Sequence, residues 1–307
     1  MRAPKDHTVV ANLTLKLDAF SNLIPLAGIN AQPQKNCFLY QLEDSIRRIQ
    51  YVQTIGSRQH DPSCANPNLT FFNPIAAAAW HLSNGNVDEA SWLVFLITHF
   101  GKNKRTGWRL LKDVYSGLGQ QLWDWPTVCA TPNAFGHWID ANRTVLKANG
   151  IFGNHRKYES LKYSITGGAI NSYVEWVGPN LSHVIKFLQL EPANATPKTR
   201  FRAFYRSCSR IYRFGRMGTF DHLTMMGKLN ILNIEPDSVY FSGATGPIPG
   251  AKMLFTGNPN ANLTNALLEN QLSQLEAHLG LPFGMQVLED ALCNWQKSPS
   301  HYIHFRG

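Results

Sequence analysis

Apolar residues at helical spacing, bounded by capping residues, recur along most of this chain and restrict its fold more than any other feature. Asn73-Pro74 places a capping side chain ahead of a proline at the first helical position. Asn86 is followed by two acidic residues, and Gly101 marks the end of the same apolar run. Alternating β-branched runs are scarce, and 238–241 is the best strand candidate. The pattern predicts an all-α, multi-helix globular fold with little or no sheet.

The composition is that of a globular protein, with 307 residues of which 44% are hydrophobic. No apolar run approaches the roughly 20 residues of a membrane-spanning helix, and no apolar stretch of the secretory type follows the N-terminus. The five cysteines are widely spaced and form no Cys-x-x-Cys pair, which argues against a disulfide framework or a zinc site. We therefore expect a cytoplasmic protein with neither a metal nor a cofactor.

The helical pattern divides the chain into three parts. Residues 1–70 are predicted to form an N-terminal arm, poorly periodic to about residue 35, followed by a helix. Residues 71–297 carry the remaining helical patterns and are expected to form the main domain, and 298–307 a C-terminal tail. No linker is long or biased enough to establish a boundary between domains.

A net charge of +9 indicates affinity for polyanions, and most of it is concentrated in the segment 198–216, which has seven basic residues and no acidic one. A continuous helix over 199–214 would place Arg202, Arg206, Arg210 and Arg213 in one stripe. Guanidinium groups in a row can contact successive phosphates. The alternatives are a solvated basic face, or arginines that pair with carboxylates elsewhere.

The segment 214–229 contains the best candidate for a catalytic carboxylate. Two glycines are expected to form a tight turn, after which a helix begins at Thr219 with Asp221 in its first turn. A carboxylate among arginines stays ionised and can stabilise a cationic transition state or position a water. Lys228, seven residues later, lies on nearly the same helix face. The alternative role for Asp221 is that of a second cap or a dipole partner.

A second polar cluster lies within 150–161 and could contact both a base and a phosphate. It contains Tyr158, whose ring can stack on a base, and two basic residues. It also contains Glu159, which is an alternative catalytic acid or base. An ordinary amphipathic helix start explains the same residues equally well. A further basic group follows Gly101, and a loop rich in glycine and proline at 243–252 is either a structural turn or an anion contact.

Five segments together resemble the alpha-glutamyl/putrescinyl thymine pyrophosphorylase family. They are WLVFLITHFGK (92–102), GNHRKYESL (153–161), YVEWVG (173–178), FGRMGTFDHLTMMGKL (214–229) and LEDALCNWQK (288–297). The similarity covers roughly 71–297. It implies action on hypermodified pyrimidines in DNA and a catalytic domain similar to helical DNA glycosylases. Members of the family occur in phages and in bacterial anti-phage loci, and some relatives attach amino acids or polyamines to activated hydroxymethyluracil.

Either chemistry requires a base turned out of the duplex, so double-stranded DNA with modified pyrimidines is the expected partner and no obligate protein partner is expected. The resemblance favours Asp221 as the catalytic residue, then Glu159, with Lys228 as a Schiff-base nucleophile or a phosphate contact. The expected base pocket comprises Asn154, His155, Tyr158, Phe214, Phe220 and His222. The expected phosphate contacts are Lys102, Arg105, Arg156, Lys157, Arg202, Arg206, Arg210, Arg213, Arg216 and Lys252.

Three hypotheses for the function follow. The first is a DNA glycosylase that excises a modified pyrimidine, hydrolyses the N-glycosidic bond and leaves an abasic site, in defence against phage. The second is a transferase that attaches an amino acid or polyamine to activated hydroxymethyluracil in DNA. The third is a nucleic-acid-binding module without catalysis, which the basic segment alone would satisfy.

Overall fold

Residues 5–304 are described by a computed structural model, in which 64% of the chain is helical and no strand forms among those residues. The predicted all-α fold is confirmed. None of the helices is both long and apolar enough to span a bilayer. Four 3₁₀ turns and one π-helix, Tyr163–Gly167, join the α-helices. The α-helices are α1 His7–Ser21, α2 Gln32–Ser57, α3 Pro74–Ser83, α4 Val87–Phe100, α5 Arg109–Tyr115, α6 Trp125–Ala130, α7 Pro132–Ala141, α8 Arg143–Asn149, α9 Gly168–Val177, α10 His183–Leu190, α11 Pro197–Cys208, α12 Arg216–Lys228, α13 Pro247–Thr256, α14 Asn265–Leu279 and α15 Gly284–Trp295.

The described residues form two compact units. Unit 1 comprises 5–51 and 235–304, so it joins the two ends of the described chain. Unit 2 is the continuous stretch 52–234. These units do not follow the expected boundaries at residues 70 and 297, because α1 and the part of α2 up to Ile49 share a hydrophobic core with α13–α15.

The core of unit 1 explains why its N-terminal part is not an arm. Asp6 caps α1 by accepting from the amides of the helix start, and the buried Leu13, Leu17 and Phe20 join the core that Trp295 also enters. The expected arm is therefore a packed helix. The expected tail is also anchored, since Gln41 donates to the carbonyl of Ile303 at 2.8 Å. Its last three residues, like the first four of the chain, lie outside the described residues.

The core of unit 2 is built around α4, which is buried along almost its whole length. A helix that is apolar all round has to be surrounded by others. Phe95 stacks on Tyr173 of α9 with ring centroids 4.2 Å apart. Near the start of α4, the buried Glu89 accepts from the Tyr115 hydroxyl at 2.6 Å and from the Trp125 amide at 2.7 Å. This carboxylate thereby joins α4 to α5 and α6.

Helix boundaries agree with the sequence where caps are strong and differ in the basic segment. Asn73 and Asn86 cap α3 and α4 as predicted, and Gly101 ends α4. The predicted helix 199–214 ends early, at Cys208, and α12 begins at Arg216 rather than at Thr219. The segment 238–241 forms no strand.

Candidate active site

A cavity of about 210 Å³ lies in unit 2, between the end of α4, the loop 101–108, the turn Asn154–Arg156 and one face of α12. Pockets that enclose drug-sized ligands measure roughly 300–1,000 Å³. This cavity is smaller and suits a single base with a small substituent. The residues that line it are Ile97, Thr98, Gly101, Lys102, Trp108, Gly153, Asn154, His155, Arg156, Asp221, Thr224, Met225 and Lys228.

Close backbone contact between Gly101 and Gly153 brings two walls of the cavity together. Gly101 has a φ of 66°, a conformation that favours glycine. The Gly153 amide donates to the carbonyl of Phe100 at 2.8 Å. A Cβ atom on Gly153 would lie 2.8 Å from the carbonyl carbon of Gly101. The two segments therefore meet backbone to backbone, which sets Lys102 and the turn Asn154–Arg156 on adjoining walls.

Asp221 lies on the α12 wall and is held by His155. The Nδ1 atom of His155 is 3.1 Å from Oδ2 of Asp221, and the two side chains are 41% and 31% exposed. Because α12 begins at Arg216, Asp221 lies in the second turn, past the amides that a cap would satisfy. The role of cap, which the sequence left open, does not fit this position.

The surroundings of Asp221 keep it ionised. Burial by itself would raise the pKa of Asp221, but the hydrogen bond and charge of His155, followed by the charges of Lys228 and Arg156, lower that pKa below its ordinary value. A carboxylate that is charged at neutral pH can stabilise a developing cation or take a proton from water.

One face of α12 supplies four of the lining residues. Asp221, Thr224, Met225 and Lys228 follow one another at helical spacing. The Thr224 hydroxyl donates to the carbonyl of Asp221 at 3.2 Å. Lys228 is buried, with 7% of its surface exposed. The seven-residue spacing of Asp221 and Lys228 predicts this shared face, whereas the chemical role of Lys228 stays a prediction.

Arg156 and Glu159 belong to one ion-pair network. Arg156 is 6% exposed, and its guanidinium donates to the carbonyls of His99 and Arg213, both at 3.3 Å. Glu159 accepts from Arg213 at 2.9 and 3.2 Å and lies 3.4 Å from Arg156. It lines a second cavity, of about 200 Å³, and not the one with Asp221. Both arginines thus hold the carboxylate that the sequence offered as an alternative acid or base.

The charged side chains that line the Asp221 cavity are mainly cationic. Lys102, Arg156 and Lys228 line it together with one carboxylate, Asp221. Such groups suit the oxygens of phosphates and carboxylates. Within residues 5–304, no group of three or more His, Cys, Asp or Glu side chains could hold a metal ion.

Three of the rings expected in the base pocket lie in the core of unit 2 instead. Phe214, Phe220 and His222 are each at most 2% exposed, and the lining of the cavity does not include them. His222 packs edge-on against Phe214 with centroids 5.4 Å apart. Burial lowers the pKa of His222 to about 3, so the ring is neutral. Successive helical residues point about 100° apart, so the neighbours of Asp221 face inward.

The remaining base-pocket candidates divide between the cavity and the surface. Asn154 and His155 line the cavity. Tyr158 is 81% exposed, and the Nζ atom of Lys157 lies 5.0 Å from the centroid of its ring. Tyr158 is therefore a surface ring next to the turn that forms one wall.

The four arginines expected in one stripe, 202, 206, 210 and 213, do not lie on one continuous helix, since α11 ends at Cys208. Arg210 and Arg213 follow the end of α11, and Arg213 has a φ of 68° and pairs with Glu159. Arg216 opens α12, and Lys252 lies on α13 in unit 1. Phosphate binding by these residues stays a prediction. The exposed basic candidates are Lys102, Arg105, Lys157, Arg202, Arg206 and Arg210.

The apolar wall of the cavity was not predicted from the sequence. Ile97 belongs to an apolar run whose other members enter the core, so no local pattern sets it apart. Trp108 follows a basic loop, and no signal indicates its direction. Met225 could have been found, since it lies four residues after Asp221 and therefore on the same face.

Comparison with known protein families identifies a match over most of the chain. The family model described as alpha-glutamyl/putrescinyl thymine pyrophosphorylase clade 3 matches residues 33–307. Neither the curated proteins nor the solved structures contain a match to this chain.

Proposed function

The chain belongs to the alpha-glutamyl/putrescinyl thymine pyrophosphorylase family, clade 3, and from this premise we propose that it excises a hypermodified pyrimidine from DNA. The family name denotes an enzyme that acts on modified thymine. A base of this kind would distinguish the DNA of a phage that carries it from the unmodified DNA of a host. Defence against such a phage is therefore the biological role that we propose.

The observation that carries the proposal is the ionised Asp221 at the wall of a cavity sized for one base. Cleavage of the C1′–N1 bond passes through a state resembling an oxocarbenium ion. A fixed negative charge beside the sugar lowers the energy of that state because it need not reorganise as the charge develops. The hydrogen bond with His155 holds the carboxylate in place.

The reaction balances with the groups present. The electron pair of the C1′–N1 bond leaves with the pyrimidine, whose negative charge the buried Arg156 and Lys228 can offset. Water adds to C1′, Asp221 accepts a proton from it, and the released base takes up one proton. The products are the free base and an abasic sugar.

The test is excision by Asp221→Asn, a change that removes the charge and keeps the shape. We expect abasic-site formation on duplexes with a modified thymine to fall about 100-fold or more, while fluorescence anisotropy shows retained binding of DNA. Glu175→Gln, an equivalent change at an exposed position of α9, is the control and should excise at the wild-type rate. Excision by Asp221→Asn at the wild-type rate would contradict the proposal.

A transferase is the second candidate, and the cations Lys102, Arg156 and Lys228 favour it. In that reaction an amine attacks the carbon attached to C5 of the base and pyrophosphate departs with the electrons of the broken C–O bond. Asp221 then takes the proton of the new ammonium, and the three cations would hold the pyrophosphate.

Mass spectrometry separates the candidates when the reactions also contain an amine and a duplex whose thymine methyl carbon bears pyrophosphate. A released base with matching abasic sites supports excision. A base that stays in the strand and gains the mass of an added amine supports transfer. Binding to every duplex with no change in any base would contradict both and leave a binding module.

A further inference from the structure

We infer that Tyr158 enters the DNA duplex in place of the pyrimidine that the Asp221 cavity takes up, and so keeps that base out of the stack. The inference rests on the proposed function only in requiring that the target base leaves the duplex, which excision and transfer both need. Tyr158, which was expected in the base pocket, is thereby assigned to the gap that the base leaves behind.

The turn that carries Tyr158 is fixed at both ends. The Glu159 amide donates to the carbonyl of Arg156 at 2.9 Å, which places Lys157 and Tyr158 at the two central positions of a β-turn. The buried Arg156 guanidinium donates to two backbone carbonyls at 3.3 Å. The Glu159 carboxylate, 7% exposed, accepts two hydrogen bonds from Arg213. Buried ion pairs therefore anchor the two residues that flank the exposed corner.

The Tyr158 ring projects from this corner into solvent. Within residues 5–304 it is the most exposed of the large apolar side chains, at 81%. A single exposed ring needs no partner for that reason alone. A ring on an anchored turn, however, inserts between bases without ordering its backbone first, so that cost of binding is already met.

The same segment forms the surface opening of the Asp221 cavity. Asn154 and His155 line the cavity and are also exposed. Arg156 lines it too, and its Cα atom lies at most about 7.6 Å from that of Tyr158, because only two peptide units separate them. A nucleotide that enters the cavity therefore leaves its gap in the stack close to the Tyr158 ring.

The charges around the ring favour DNA as the occupant over an apolar protein surface. The Nζ atom of Lys157 lies 5.0 Å from the centroid of the Tyr158 ring. Lys147 and Lys157 are both exposed and line the second cavity together. Cations beside the ring can contact the phosphates that flank the gap, while the ring itself stacks on the neighbouring bases.

Binding of two DNA duplexes tests the inference. In both, the target thymine carries a hydroxyl group on its methyl carbon and a 2′-fluorine on its sugar, which slows cleavage. Adenine lies opposite the target in one duplex and pyrene in the other. Pyrene is as large as a base pair, so it fills the stack and holds the target base outside without help from the protein.

Tyr158→Ala should distinguish the two duplexes. We expect it to bind the adenine duplex about tenfold or more weaker than the wild type does, because nothing fills the gap. It should bind the pyrene duplex as tightly as the wild type does. Fluorescence anisotropy measures both affinities.

Two further variants are the controls. Tyr158→Phe keeps the ring and should bind both duplexes like the wild type. Tyr51→Ala removes a tyrosine on α2 that is 53% exposed, and it should also leave both affinities unchanged.

Wild-type affinity of Tyr158→Ala for the adenine duplex would overturn the inference, as would failure of the wild-type protein to bind either duplex. An equal loss on both duplexes would overturn it too, because a general surface contact does not depend on a gap in the stack. Equal losses in Tyr158→Phe and Tyr158→Ala would exclude the ring as the inserted group. Failure of the proposed function is a separate result, in which duplexes without fluorine release no base while the loss and its rescue by pyrene persist.

Discussion

Asp221 and His155 come from segments 66 positions apart, and the pair exists only because α12 and the turn Asn154–Arg156 meet. The sequence made Asp221 a candidate through its charged surroundings, and the spacing to Lys228 predicted their shared face. It could not predict that Phe220 and His222 turn into the core, because the packing of α12 against other helices decides which of its faces is buried.

The pairing with His155 makes a prediction for pH dependence. Asp221 acts in its ionised form, so activity is lost as the pH falls through its pKa. His155→Gln removes the largest contribution that lowers this pKa. We therefore expect the acid limb of the excision rate to move to higher pH, which a pH profile of abasic-site formation measures. His137→Gln, at an exposed position beside Tyr163, should leave the limb in place. A limb unmoved in both variants would show that Asp221 does not set it.

At the scale of elements, the basic segment shows what periodicity cannot detect. The spacing of residues in 198–216 predicts a helix that continues to Phe214, yet α11 ends at Cys208. Burial of Ile211 and Phe214 and the ion pair between Arg213 and Glu159 stabilise a turn there. These contacts are distant in sequence, so local spacing does not contain them. The caps of α3 and α4 were predictable because all their atoms lie within a few residues.

The contact between Gly101 and Gly153 makes a prediction for the elements that form the cavity. The φ of Gly153 is −61°, which alanine adopts readily, so Gly153→Ala tests the close approach alone. Its Cβ would lie 2.8 to 3.0 Å from backbone atoms of Gly101 and Lys102. We expect a loss of about 1–3 kcal/mol in the free energy of unfolding, measured with urea.

Gly168→Ala is the matched control for this substitution. Gly168 opens α9, and its Cβ would meet only the ring of Tyr212, 3.3 Å away, which is 45% exposed and can move. It should be neutral or slightly stabilising, since alanine favours a helix more than glycine does. Equal stability of Gly153→Ala and the wild type would show that the two segments can separate at little cost.

At the scale of the whole molecule, the helical class was predictable because it follows from repeated local patterns. The division into two units was not, because it depends on which helices share a core. Leu17 and Leu272 join one core, and no feature within either helix identifies the other. The expected boundaries at residues 70 and 297 assumed that each domain is one continuous stretch of chain. The packing instead joins segments from both ends of the described chain in one unit.

Glu89 makes a prediction for the stability of unit 2 as a whole. Burial, with the charges of Asp124 and Asp88, raises the pKa of Glu89 to about 7, despite the hydrogen bonds from Tyr115 and Trp125. The folded state therefore holds a proton that the unfolded chain has released above the ordinary pKa of 4.5. Its contribution to stability is fully present below that ordinary pKa and declines as the pH rises to about 7.

Glu89→Gln removes this titration. We expect the free energy of unfolding of the variant, relative to the wild type, to rise between about pH 5 and pH 7.5. Urea unfolding followed by tryptophan fluorescence is suitable, because seven of the eight tryptophans lie in 52–234. Glu175→Gln is the control and should follow the wild type at every pH. A constant difference between Glu89→Gln and the wild type would show that Glu89 does not titrate in this range.

Unit 1 unites both ends of the described chain, and this topology has a consequence on the ribosome. Residues 52–234 leave the exit tunnel as one block and can complete their core during synthesis. Leu17 has to wait for Leu272, 255 positions later. At about 5–20 residues per second, the delay is on the order of tens of seconds. The apolar side chains of α1 are exposed throughout, so we expect the nascent N-terminal segment to be a chaperone client while the unit with the Asp221 cavity is already folded.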